Sequence, residues 1–67
     1  MSVIKDYRIK KKLSVIGLAE RMKVTRRTIY NWEEGIEPNI PQIIRLGKVL
    51  GISPTTIFKD YAKRYIK

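Results

Sequence analysis

The chain has no cysteine and no histidine. Without thiols there is no disulfide and no thiolate nucleophile, and without imidazole the commonest metal ligand and general base are both missing. Catalysis is therefore the weakest functional class, and neither a metal nor a cofactor is expected. Acidic residues are scarce too: six Asp plus Glu stand against fifteen Lys plus Arg. They are scattered, and adjacent Glu33 and Glu34 would not face each other on a helix, so no shared-proton dyad is suggested. No apolar run approaches the ~20 residues of a membrane span, and no secretory signal is read at the start. Nothing in the pattern reads as a strand, and there is no internal repeat or low-complexity segment.

What is present is a length of 67 residues, 43% of them hydrophobic, with a net charge of +9. That length allows one small domain spanning 1–67 with limited area to bury, and its hydrophobic content is that of a folded chain. The charge calls for a polyanionic partner, and nucleic acid and an anionic membrane surface both satisfy it.

Caps and stops divide the chain into five short helices. Ser2 can cap a first helix over about 3–12, with Ile4, Tyr7 and Lys11 on one face, and Ser14 a second over about 15–22. Thr25 opens a third, about 26–33, in which Ile29 and Trp32 share a side, and Gly35 suits its end. Asn39 and Gln42 have the spacing of a capping box around Pro41, which starts a fourth helix over about 40–50, and Gly51-Ile52 reads as a left-handed stop. Ser53-Pro54 opens a fifth helix reaching about Ile66, with Ile57, Phe58, Tyr61, Ala62, Tyr65 and Ile66 forming a broad apolar face.

The stretch 18–35, LAERMKVTRRTIYNWEEG, pairs two short helices across a three-residue turn. Such a turn lets one helix brace the backbone while the next enters the major groove, ~12 Å wide. Opposite the Ile29 and Trp32 stripe lie Arg26, Arg27, Tyr30, Asn31 and Glu34. A guanidinium matches the O6 and N7 acceptors of guanine, and an Asn amide matches the acceptor and donor of adenine. Arg26, Arg27 and Asn31 are accordingly the leading base readers. Tyr30 fits a contact with a base or phosphate and equally a plain surface tyrosine. Trp32, by its spacing, belongs to the core rather than to a base stack.

These residues resemble the Cro and C1 repressor type of helix-turn-helix, the xenobiotic-response-element family. The resemblance runs from about Ile4 to Phe58, on Arg8, Leu18-Ala19, Val24-Thr25, Thr28-Ile29, Trp32-Glu33 with Gly35, Pro38, and Leu50-Gly51-Ile52-Ser53. It implies an all-α, compact five-helix bundle of the lambda-repressor-like type, with the third helix in DNA and dimers on pseudo-palindromic sites. It also implies a structural ion pair between Arg8 and Glu33. The core would hold Leu13, Leu18, Ala19, Met22, Val24, Ile29, Trp32, Ile43, Leu46, Leu50, Ile52, Ile57 and Phe58. Three departures stand out. Lys23 occupies the turn position where the family usually has glycine, a strained place for a side chain. Val15 replaces a glutamine that often touches phosphate, leaving only backbone N–H groups there. Gly17 and Gly47 sit inside helices at a cost of up to ~1 kcal/mol each, for which close helix approach at Gly47 is a reason.

The expected phosphate contacts are Ser14, Thr25, Thr28 and Asn39, the last equally readable as a cap. The run Lys10-Lys11-Lys12 reads by default as a solvated helix end. Tyr61, Tyr65 and Ile66 are the expected homodimer contact, with folding back onto the domain, or membrane-surface or acidic-protein binding by the same helix, as alternatives. The function expected is a sequence-specific transcriptional regulator, a repressor, located in the cytoplasm with the nucleoid. Its partners would be double-stranded DNA and a second copy, with no small-molecule effector. The competing classes are an antitoxin-type interaction module and a nonspecific DNA-coating protein.

Overall fold

The computed structural model describes residues 2–63. Five helices follow in order, α1 Val3–Lys10, α2 Val15–Met22, α3 Arg26–Glu34, α4 Ile40–Leu50 and α5 Pro54–Ala62, with no strand among the described residues. The expected all-α, five-helix architecture is the one found. A polar side chain opens each helix by accepting a backbone N–H that has no partner within the helix. Ser2 Oγ accepts from Lys5, Ser14 Oγ from Gly17, Thr25 Oγ1 from Thr28, Asn39 Oδ1 from Gln42 and Ser53 Oγ from Thr55. At Asn39 the box closes reciprocally, Gln42 Oε1 accepting the Asn39 N–H at 2.9 Å.

The first four helices stop in a common way. One residue turns to positive φ, and the N–H of the next reaches back to a carbonyl of the last turn. These bonds are Leu13 to Arg8, Val24 to Ala19, Ile36 to Asn31 and Ile52 to Gly47. Glycine supplies the turn at 35 and 51, whereas lysine supplies it at 12 and 23, with φ of 58° and 57°. For a residue with a Cβ that conformation costs on the order of 1 kcal/mol. The strain expected at Lys23 is present; that at Lys12 carries no sequence signal, because a lysine run reads as helix. It ends α1 at Lys10, two residues before the expected Lys12.

α1 packs on α3, α4 and α5, α2 on α3 and α4, and α4 on α5, around one core. Ile4, Leu18, Ala19, Met22, Ile29, Trp32, Ile43, Leu46, Leu50, Ile57 and Tyr61 are buried, while Leu13, Val24 and Ile52 pack partly buried at its edge. Phe58, expected in the core, is 52% exposed. The helical turn explains this: Ile57 and Tyr61, four apart, take the inward stripe, and Phe58 is rotated about 100° from Ile57. Tyr61 in turn is no surface residue. It is 1% exposed, and its hydroxyl donates to the Trp32 carbonyl. Its expected place in a dimer contact is therefore corrected to the core; Tyr65, Ile66 and the expected helix end at Ile66 lie outside the described residues. The close approach expected at Gly47 is found, since a Cβ there would stand 2.7 Å from the Ile52 carbonyl oxygen.

Candidate nucleic-acid interface

α3 is held from behind. Ile29 and Trp32 point into the core, and Glu33, one position on, meets the first helix. Arg8 Nε donates to Glu33 Oε2 at 2.7 Å and its Nη2 to Glu33 Oε1 at 3.3 Å, while Nη1 donates to the Leu13 carbonyl at 3.0 Å. Both side chains are nearly buried, at 11% and 8% exposure. One guanidinium thus ties α1, the turn after it and α3 together, which fixes the angle at which α3 leaves the bundle. This is the single ion pair among the described residues.

The turn between α2 and α3 is Lys23-Val24-Thr25, the expected three residues. Val24 tucks partly into the core, Lys23 and Thr25 face solvent, and the Thr25 and Thr28 hydroxyls lie 3.0 Å apart. Beyond the cap, Arg26, Arg27 and Tyr30 are exposed and Asn31 is half-buried. Among the described residues, no hydrogen bond or ion pair engages their side chains. Two guanidinium forks, an amide and a phenol therefore stand on one face of a rigid helix with every donor still available.

The four expected phosphate contacts are spread over three helix starts. Ser14, Thr25 and Asn39 all work as caps, and Thr28 bonds to Thr25. Capping uses their acceptor oxygens only. The Ser14 hydroxyl hydrogen and the Asn39 amide hydrogens remain to be donated. A shallow groove beside Asn39 is lined also by Met22, Lys23, Val24, Pro41, Gln42 and Arg45. It brings Lys23 of the turn and Arg45 of α4 to the same place, two cations that sequence spacing does not join. Their only signal in the sequence is that both occupy outward, non-core positions of their elements.

The described residues contain no cluster of three or more His, Cys, Asp or Glu able to hold a metal, and no helix among them is long and apolar enough to cross a membrane. Two helices crossing at a three-residue turn, the second braced behind and unpaired in front, define the helix-turn-helix class of DNA-binding domain. A family model described as Helix-turn-helix matches residues 4–57, and the chain belongs to that family, of the Cro and C1 type. No curated protein and no solved structure gives a significant match. Membership makes the chain a DNA-binding transcriptional regulator of lambda-repressor-like fold, in a family not typically enzymatic.

Proposed function

We propose that residues 1–67 act as one sequence-specific DNA-binding domain that represses by occupying its site, with α3 inserted in the major groove. The observation that carries this is the outward face of α3: Arg26, Arg27, Tyr30 and Asn31 point away from a helix whose other side is locked by Ile29, Trp32 and the Arg8–Glu33 pair. Arg26, Arg27 and Asn31 read base edges, and Tyr30 contacts a base methyl or sugar-phosphate beside them. Ser14, Asn39 and the Thr25–Thr28 hydroxyl pair, through the one hydrogen that their mutual bond leaves, donate to phosphates, joined by Lys23 and Arg45 in the groove beside α4. Two copies bind a pseudo-palindromic site, with recognition helices ~34 Å apart. The setting is the cytoplasm with the nucleoid, and no cofactor or small-molecule effector takes part.

The test is selection of bound sites from a randomised duplex pool at moderate salt, followed by sequencing. An enriched, inverted-repeat motif is the expected result. Binding without enrichment would instead make the chain a coating protein held by phosphate contacts alone. Absence of binding would transfer the function to a protein partner of the antitoxin type.

A further inference from the structure

The acidic residues of this chain are unevenly spread. None lies between Glu37 and Asp60, a segment that builds α4 and most of α5 and carries Arg45, Lys48 and Lys59. Asp60 itself is half-buried and accepts the Val3 N–H. Ile40, Pro41, Ile44, Arg45 and Lys48 are all exposed and fall on one side of α4, at helical spacings of three and four. Three shallow grooves run into one another along this side. Ile40, Ile43, Ile44, Pro54, Thr55 and Phe58 line an almost wholly apolar one between α4 and α5, in which Ile40 is 69% exposed, Ile44 46% and Phe58 52%. Ile44 also belongs to the next, with Pro41, Arg45 and Lys48. Pro41 and Arg45 in turn border the groove beside Asn39 and Lys23 that faces DNA in the reading above. Among the described residues, no hydrogen bond or ion pair engages the side chain of Arg45 or Lys48.

We propose that this furrow docks an acidic amphipathic helix of another protein, and that the docked helix takes Arg45 away from phosphate and so loosens the grip on DNA. The effect on DNA rests on the DNA-binding reading; the docking does not. Apolar anchors three and four residues apart on such a helix fill the α4–α5 groove, and its carboxylates lie along Arg45 and Lys48. Charge and shape together select this occupant. Ile40, Ile44 and Phe58 offer phosphate no donor, so a duplex leaves the apolar half of the furrow empty. A lipid surface is flat and leaves the floor of a furrow unfilled. A second copy would add its own Arg45 and Lys48 to a face that holds only cations, whereas an acidic chain cancels them. The patch is small, which places the contact in the weak, transient class and suits a reversible regulator. Because Arg45 borders both the docking furrow and the DNA-facing groove, helix and duplex weaken each other by the same factor.

The test starts from a randomised display library of helical peptides of about 15 residues, ~22 Å long, selected against the full chain without DNA. Winners should combine Asp or Glu with apolar residues three and four apart. Amide shifts caused by the synthesised winner should map to Ile40, Ile44, Arg45, Lys48, Thr55 and Phe58. Its affinity should fall as salt rises from ~0.1 M to ~1 M and the Debye length shrinks from ~10 Å to ~3 Å. A scrambled peptide of the same composition should bind about tenfold more weakly, because its anchors no longer share a face. The Ile44→Ser/Phe58→Ser variant, its fold checked by circular dichroism and melting, should lose the peptide while keeping its affinity for the selected duplex. Lys48→Glu should weaken the peptide about fivefold. Saturating peptide should then weaken wild-type binding to that duplex about fivefold or more, within the usual range of coupling between sites, and leave the serine variant unaffected. Shifts that map to Arg26, Arg27 and Asn31 would overturn the inference, because the peptide would then only imitate phosphates. So would a library without binders, winners without acid, or equal binding by the scrambled peptide. Tighter binding of phosphatidylglycerol vesicles at the same residues would replace the helix by a lipid surface, and dilution shifts there in the free chain would replace it by a second copy. Docking without loss of duplex affinity would overturn the regulatory half. A chain that binds the peptide and no duplex would sink the DNA-binding reading alone.

Discussion

At the scale of single residues, Lys23 sets folding against binding. Its left-handed backbone favours glycine, so Lys23→Gly should raise the urea midpoint, by roughly 1 kcal/mol of stability. The same change removes a cation from the groove beside Asn39. It should therefore weaken DNA binding similarly for all sequences and lower the slope of log K against log salt by about 0.9. Arg26→Ala and Asn31→Ala should behave otherwise, each losing ~1 to 3 kcal/mol of discrimination at one base position in competition binding. The Arg8–Glu33 pair belongs to a third kind, since Arg8→Ala leaves the Glu33 carboxylate nearly buried without its partner. A loss of about 3 kcal/mol in thermal or chemical unfolding is expected. Arg8→Lys should recover only part of it, because an ammonium cannot bridge both Glu33 oxygens and the Leu13 carbonyl.

At the scale of elements, Gly47 in α4 opposes helix propensity. Ala is the better helix former by up to ~1 kcal/mol, yet a Cβ at 47 would press on the Ile52 carbonyl at 2.7 Å and on Pro54, forcing α4 and α5 apart. Gly47→Ala should thus lower the melting temperature, against its propensity, with an overpacking cost of about 1 to 3 kcal/mol. Helix starts were fully legible from the sequence, because a cap depends on a local side chain and its neighbours within three residues. All five N-caps are the expected Ser2, Ser14, Thr25, Asn39 and Ser53. The stop at Gly51 was legible for the same reason, whereas the stop at Lys12 was not, since lysine announces no left-handed turn. The face of α5 was harder still. Six apolar residues make its stripe look broad, and packing on the rest of the bundle selects the Ile57 and Tyr61 edge of it, with the Tyr61 hydroxyl on the Trp32 carbonyl and Phe58 left outward. The outward face of α3 follows from its own periodicity. Long-range proximity is what periodicity cannot supply, and so Arg45 beside Lys23 and Asn39 came only from the fold.

At the scale of the whole molecule, a charge of +9 dominates encounters in solution. Association with any duplex should be fast at low salt and fall steeply as salt rises, and the sequence-dependent part of binding should survive that rise better than the rest. A second property of the whole appears where α1 begins. The Val3 N–H donates to Asp60 Oδ2 at 3.4 Å across 57 positions of chain, and Ile4 is sealed in the core. The partners of α1 are α3, α4 and α5, all made after it. During synthesis α1 therefore meets its first partner only once α3 has left the ribosome, and the Val3–Asp60 bond waits for α5, closing a loop of 57 positions. Among the five helices, the start of α1 is thus the last to be fastened.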